Sequence, residues 1–279
     1  MNNQPQKNPP KLIACDLDGT LLDNNARLSD ANKEALNQMS ALGALFVPTS
    51  GRALYEITSE VRDLDCVRYL ITSNGALVID KLTGRRISTL ISKEDFSTIY
   101  NIMADYAVFL TIHHEGISFV DEDLTTREIM DFYGISEYYK DHIEKVNAKM
   151  PFFKDYFNTP REVEMVCGFF KHESELRECM ERLSAVPSIF VTGSTSKSLE
   201  ILSAKATKGS ALVSLANELG VDISDTIAVG DSQNDLTMIQ KAGIGLATAN
   251  AVPALKDAAD RVICSNEENV AVHILENMF

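Results

Sequence analysis

The sequence predicts an α/β protein: a doubly wound core of mainly parallel strands, interrupted by an inserted α+β unit. Three observations lead there. Short apolar runs break into polar, Gly-containing loops near both ends of the chain, as strands buried on both faces do. Segments with helical spacing lie between them, and strand–helix–strand alternation implies parallel pairing with right-handed crossovers. From about residue 84 to about residue 197 this rhythm is replaced by another.

The first strand is "KLIACDL", which runs into "DLDGT". A helix should follow at "SDANKEALNQMSALG", with Ser29 as N-cap, Leu36, Met39 and Leu42 at helical spacing, and Gly43 as the stop. "ALFVPTSGR" gives a second strand and a polar loop. A helix over 53–63 and a strand over "YLITSNGALVI" complete the first part, with Asn74 and Gly75 readable as a hairpin turn. In the insert, "SKEDFSTIYNIMADYA" is a helix with a Ser92/Asp95 capping box. "VFLTIHHEGISFV" reads as two strands, "EVEMVCGFF" as another, and "SELRECMERLSAV" as a second amphipathic helix. These predict an open sheet with one helical face. His113 and His114 are adjacent, so in a strand they face opposite ways, as structural histidines. After 197 come the helix "KGSALVSLANELGV", the strand "DTIAVGD", the short strands "GIGLATANA" and "RVICSN", and a closing helix "ENVAVHILENMF". The expected domains are therefore a discontinuous core, 1–84 plus 197–279, and an insert, 85–196.

The bulk composition narrows the function. With 45% hydrophobic residues, 279 residues can build a proper core. A net charge of −14, from 26 basic and 40 acidic residues, argues against a nucleic-acid or anionic-membrane surface. The five cysteines are scattered and form no CxxC spacing, so neither a zinc site nor a disulfide framework is indicated, and a reducing cytoplasm fits. The N-terminal "MNNQPQKNPP" has no apolar h-region and reads as a disordered tail. No apolar run approaches the ~20 residues that span a bilayer.

Three loops end candidate core strands: "DLDGT", "TSGR" and "GDSQND". Ligands of open α/β sheets bind at the carboxyl ends of the strands. There Asp16, Asp18, Ser50, Asp231 and Asp235 could meet in one crevice. Two carboxylates 4 Å apart repel by ~4 kcal/mol at an effective dielectric of 20, so such a cluster demands a cation. All-oxygen ligands select a hard one, and Mg²⁺ is favoured where phosphate is a co-ligand.

The chain resembles the haloacid dehalogenase (HAD) superfamily of phosphohydrolases, most closely its Cof-type members with a class IIB cap. The resemblance rests on "DLDGTLL" (16–22), "TSGR" (49–52), "SNGA" (73–76), "KATKGSAL" (205–212), "GDSQNDLTMI" (230–239) and "ADRVICSNEENVA" (259–271), in the family's order. It implies a Rossmann-like core with the insert as a substrate-selecting cap. It further implies that Asp16 is the nucleophile, giving an aspartyl-phosphate, and Asp18 the acid–base. Ser50 and the Gly51 N–H would hold the phosphoryl group, Lys208 would neutralise it and Asp16, and Asn234 would reach its side. Asp16, the Asp18 carbonyl and Asp231 would bind Mg²⁺, with Asp235 behind them.

Some positions depart from the pattern or stand outside it. Ser50 replaces the commoner Thr, Pro48 is unusual, and Asn269 stands where Gly is expected. Arg52 reads as a structural salt-bridge residue and Lys205 as a solvated rim residue. The implied function is Mg²⁺-dependent hydrolysis of small organic phosphates, sugar phosphates first. The alternatives are phosphohexomutase-like transfer on the same fold and a non-hydrolytic sensor of phosphate esters. No motif marks the cap residues that select the substrate, and oligomeric state is not readable.

Overall fold

Among the described residues the strands form two sheets. The computed structural model describes residues 11–151, 159, 161–195 and 197–279, so the N-terminal tail lies outside them. The first sheet holds β1 (Leu12–Asp16), β2 (Leu45–Thr49), β3 (Tyr69–Thr72), β4 (Leu77–Asp80) and β5 (Arg86–Ser88), and late in the chain β12 (Thr226–Gly230), β13 (Ile244–Ala247) and β14 (Arg261–Val262). Its order is β14-β13-β12-β1-β2-β3-β4-β5. Strands from β14 to β3 are parallel, while β3–β4 and β4–β5 are antiparallel.

β1 shows why the core is doubly wound. All five of its residues are buried. Ile13 and Cys15 pack with Leu36 and Met39 of helix Asp30–Ala41 and Ile274 of helix Val270–Met278. Leu12 and Ala14 face the other way, onto Leu212 and Leu215 of helix Lys208–Leu219 and Met238 of helix Leu236–Lys241. A strand with period-two side chains and helices on both faces must be apolar throughout.

The second sheet holds β6 (Val108–His114), β7 (Ile117–Asp121), β8 (Ala148–Met150), β9 (Met165–Phe170), β10 (Ile189–Thr195) and β11 (Ser198–Ser203), in the order β10-β11-β9-β6-β7-β8. Helices Lys93–Met103 and Glu173–Ser184 cover one face. Ser92 caps the first of them as expected, accepting from the Asp95 N–H at 3.1 Å.

Several expectations need correcting. Sheet pairing does not follow boundaries at 84 and 197. β5, beyond 84, extends the β3–β4 hairpin of the first sheet, and β11, beyond 197, pairs between β10 and β9 of the second. The second sheet also carries helices on part of its other face. Arg127–Phe132 and Glu137–Lys145, two short helices that the sequence analysis does not place, supply Met130 and Ile143 against Phe109 and Val120. The helix expected over 53–63 is only a turn, Leu54–Glu56, and a short helix, Ser59–Arg62. It breaks at Ile57 and Thr58, β-branched residues in extended conformation. The strand expected over "YLITSNGALVI" is split into β3 and β4 by Ser73, Asn74 and Gly75, all at positive φ.

Two departures from the family pattern acquire physical reasons. Pro48 has no N–H to donate, and pairing of β2 toward β3 is reduced to a Phe46–Val67 bridge and the Thr49–Ile71 pair. Asn269 has a φ of +63°, a conformation that Asn tolerates better than most residues.

The insert meets the core through a buried polar chain. Ser73 Oγ donates to Glu164 Oε2 at 2.9 Å and lies 3.1 Å from His113 Nδ1. Glu56, 5% exposed, faces His113 Nε2 at 3.6 Å and His142 Nε2 at 3.4 Å, and accepts from the Ala53 N–H at 2.8 Å. Burial would raise the Glu56 carboxyl, but His113, His142 and the Ala53 N–H outweigh it and hold it at about 2, against an ordinary 4.5. Its contribution to stability is therefore present above pH 4.5 and lost as pH falls toward 2. The stability gap between wild type and Glu56→Gln, from urea midpoints, should narrow by about 2 kcal/mol between pH 5 and pH 3. A gap independent of pH would remove Glu56 as the acid-sensitive link.

Candidate active site

Three loops and one helix start converge at the carboxyl edge of β1, β2 and β12. Asp16 ends β1 and is 6% exposed. Lys208 opens its helix behind the Thr207 N-cap, with its ammonium buried in the core. Its Nζ donates to Asp16 Oδ1 and Asp235 Oδ1, at 2.6 Å each. Gly209 permits this placement, because a Cβ there would lie 2.3 Å from the Thr237 carbonyl oxygen. Asp235 has no exposed surface, and its Oδ2 accepts from the Asp231 and Ser232 N–H groups at 3.0 Å each. Asp231 Oδ1 accepts from the Thr20 hydroxyl at 3.1 Å, and its Oδ2 from the Ser232 hydroxyl at 3.0 Å.

The electrostatics follow from the burial. Carboxylate oxygens of Asp16, Asp231 and Asp235 lie within 4.8 Å of one another. Burial pushes the Asp16 carboxyl well up; Lys208 opposes this, while Asp235 and Asp231 add to it. Burial and then Asp235 push Asp231 up as well. Burial would also strip the proton from Lys208, but Asp16 and Asp235 together hold its pKa above the ordinary lysine value. Three carboxylates thus face one ammonium. The donor set is all oxygen, with excess negative charge, and fits a hard divalent cation such as Mg²⁺. Asp235 already answers the Lys208 ammonium and two main-chain N–H groups. Asp231 accepts one hydroxyl on each oxygen and Asp16 engages Lys208 through Oδ1 alone, so Asp16 and Asp231 are the carboxylates with acceptor capacity left for a metal.

The second carboxylate of the first loop is placed differently. Gly19, at φ +79°, turns the chain, and a Cβ there would lie 2.6 Å from Asp231 Oδ2. The Asp18 side chain is 49% exposed and is clasped by Arg52, Nη2 to Oδ1 at 2.6 Å and Nε to Oδ2 at 2.8 Å. Arg52 forms the salt bridge expected of it, but its partner is Asp18, so it lines the same crevice. Its adjacency to Ser50 and Gly51 was the available signal. Ser50 is buried, its Oγ accepting from the Arg52 N–H at 3.2 Å.

Asn234 donates its amide to Asn74 Oδ1 at 3.0 Å, while its buried Oδ1 has no partner among the described residues. One of its two amide hydrogens is thus engaged with Asn74. Asn74 is more than a turn residue: its Nδ2 donates to Glu200 Oε2, across in the insert, at 2.7 Å. Lys205 is exposed, as expected of a rim residue. A cavity of about 520 Å³ joins these groups, lined by Asp16, Asp18, Ser50, Gly51 and Asn234 from the core and by Tyr139, Thr192 and Glu200 from the insert. No motif pointed to the last three.

Comparison with known proteins gives the family. Residues 13–275 match the family model of haloacid dehalogenase-like hydrolases. The chain is 28% identical to phosphatase YwpJ of Bacillus subtilis (strain 168), covering 96% of this chain and 99% of that protein. It is also 28% identical to the same organism's 5-amino-6-(5-phospho-D-ribitylamino)uracil phosphatase YwtE, covering 96% and 98%. Its fold superposes on a HAD subclass IIB sugar phosphatase with a TM-score of 0.79, at 22% identity, over 96% of this chain and 97% of the other. Since the matched span takes in every loop of the site, the chain belongs to the haloacid dehalogenase-like hydrolase family and is a HAD-type phosphatase whose α/β core carries an inserted cap.

Proposed function

We propose that this phosphatase hydrolyses phosphate monoesters of small, soluble substrates, sugar and polyol phosphates first, with Mg²⁺ and through a phosphorylated Asp16. The observation that carries the reading is Lys208, buried between Asp16 and Asp235 with the Asp231 carboxylate alongside. Asp16 Oδ1 is engaged by Lys208, and Oδ2 has no hydrogen-bond partner among the described residues. Attack by this carboxylate on phosphorus breaks the ester P–O bond and makes an acyl phosphate on Asp16. Asp18 is placed to give its proton to the departing alcohol oxygen. It then takes one from the water that cleaves the acyl phosphate, so ester and water become alcohol and inorganic phosphate.

The Ser50 hydroxyl and the Lys208 ammonium hold the phosphoryl oxygens, with the Gly51 N–H alongside. Asp16, Asp231 and the main-chain carbonyl of Asp18 would hold Mg²⁺, which supplies positive charge for the phosphoryl oxygens. Arg52 holds both Asp18 oxygens, so the acid–base role requires the half-exposed Asp18 carboxyl to leave this clasp when a substrate binds. The cap roofs a cavity of about 520 Å³, which suits a small ester. A similar protein named for a phosphoribityl substrate agrees with that range. Five free thiols fit a reducing cytoplasm.

The first test is phosphate release from a panel of small phosphate esters, with Mg²⁺ and with chelator. Wild type should release phosphate only with metal, and Asp16→Asn should release none. Wild type that binds esters but releases no phosphate from any of them would overturn hydrolysis as the reaction.

Lys208→Met gives a second test. It would leave Asp16 and Asp235 buried without their shared cation, which should cost about 3–5 kcal/mol of stability by urea unfolding. Turnover should fall at least ~10²-fold, as for loss of one charge-stabilising donor. An unchanged midpoint would show that the ammonium does not compensate the pair.

A further inference from the structure

The cap face that looks into the cavity carries one carboxylate, and its setting distinguishes it from a structural acid. β11 alternates: Leu199 and Ile201 pack under the cap helices, while Ser198, Glu200 and Leu202 lie on the opposite face, toward the core. Glu200 stands in register with Thr192 on β10 and Cys167 on β9. It is half-buried, and charged groups so placed are ordinarily paired with a cation. Here the partner is the neutral Asn74 amide, which takes Oε2 at 2.7 Å and is itself fixed by Asn234 at 3.0 Å. Among the described residues nothing takes Oε1.

Besides the buried Lys208 ammonium, which Asp16 and Asp235 answer, the cationic side chain among the described residues lining the cavity is Arg52, and both Asp18 oxygens already engage it. Tyr139 and Thr192 add hydroxyls to the same wall. Burial, with Glu56 and Glu200 nearby, holds the Tyr139 phenol well above its ordinary value, so it remains a hydrogen-bond donor.

On the reading of the chain as a phosphomonoesterase, we infer that Glu200 is a specificity-determining residue. Its carboxylate accepts hydrogen bonds from the hydroxyls of an uncharged polyol leaving group and repels esters whose leaving group carries a second anion. Both halves follow from the setting. A fixed carboxylate oxygen without a partner is a strong acceptor for hydroxyl donors. A carboxylate without a cation also imposes like-charge repulsion on an acidic substrate, a selection by exclusion as much as by attraction.

Matched pairs of esters test this. Glycerol 3-phosphate and 3-phosphoglycerate differ by CH₂OH against carboxylate, and so do sorbitol 6-phosphate and 6-phosphogluconate. Wild type should favour the polyol ester at least tenfold in kcat/KM in one pair or both. Glu200→Gln keeps the shape and an oxygen for Asn74 but removes the charge, and should narrow that ratio at least tenfold, mainly by raising the acid ester. Glu200→Asp keeps the charge and shortens the reach, so it should keep the discrimination against the acid ester while weakening the polyol ester. A wild type that favours the acid esters, or a ratio unmoved in Glu200→Gln, overturns the inference and leaves the phosphatase reading standing. A wild type that releases phosphate from no ester at all overturns both.

Discussion

The site depends on one buried interaction, the Lys208 ammonium shared by Asp16 and Asp235. A lysine with almost no exposed surface is tolerable only with its charge answered on the spot, and two oxygens at 2.6 Å do that. The converse also holds. Asp16 ends β1 and Asp235 lies in the loop after β12, and burial would force Asp16 further toward its neutral form without the ammonium. The interaction therefore ties β1, the loop after β12 and the start of helix Lys208–Leu219 into one rigid object. Asp235 continues the chain of constraint by accepting from two successive N–H groups, which fixes the loop that carries Asp231.

That rigidity explains where the glycines fall. At Gly209 a Cβ would strike the backbone of the neighbouring helix, and at Gly19 it would strike the Asp231 carboxylate. In both places the charged groups can approach only because the chain lacks a side chain. Function and packing are here the same requirement: what lets Lys208 reach Asp16 is a close approach of two helices.

The core was legible in the sequence because its physics is local. A strand buried on both faces must be continuously apolar, so β1 and β12 stand out, and the acidic loops behind them fall where an α/β sheet binds ligands. The insert was less legible. Helices Arg127–Phe132 and Glu137–Lys145 are 6 and 9 residues long, against 11 and 12 for the two cap helices read from the sequence, so few apolar positions recur in each. The sheet membership of β5 and β11 was not legible for a related reason. β5 and β11 are assigned by the strands they pair with, and pairing partners are not written in the segment itself. Arg52 and Asn74 were undervalued because each reads well as a local feature, a surface ion pair and a turn. Only the assembled crevice shows that one clasps Asp18 and the other links Asn234 to Glu200.

The same contrast separates chemistry from selectivity. The reacting end of the cavity is made by short loops whose residues are adjacent in sequence, so "DLDGT" or "GDSQND" carries its meaning with it. The cap side of the cavity, which the proposal above makes the selecting end, carries single residues from a helix and two strands: Tyr139, Thr192 and Glu200. Each is an ordinary member of its element, and none lies within a motif. What gives Glu200 its character is a relation: the alternation of β11 turns it toward the core, and the neighbour it meets there is an amide and not a cation. A loop that must hold phosphate has few solutions and recurs. A wall that must suit one leaving group can be rebuilt residue by residue without disturbing the charges beneath it, because Asn74 and Asn234 stand between Glu200 and the buried cluster.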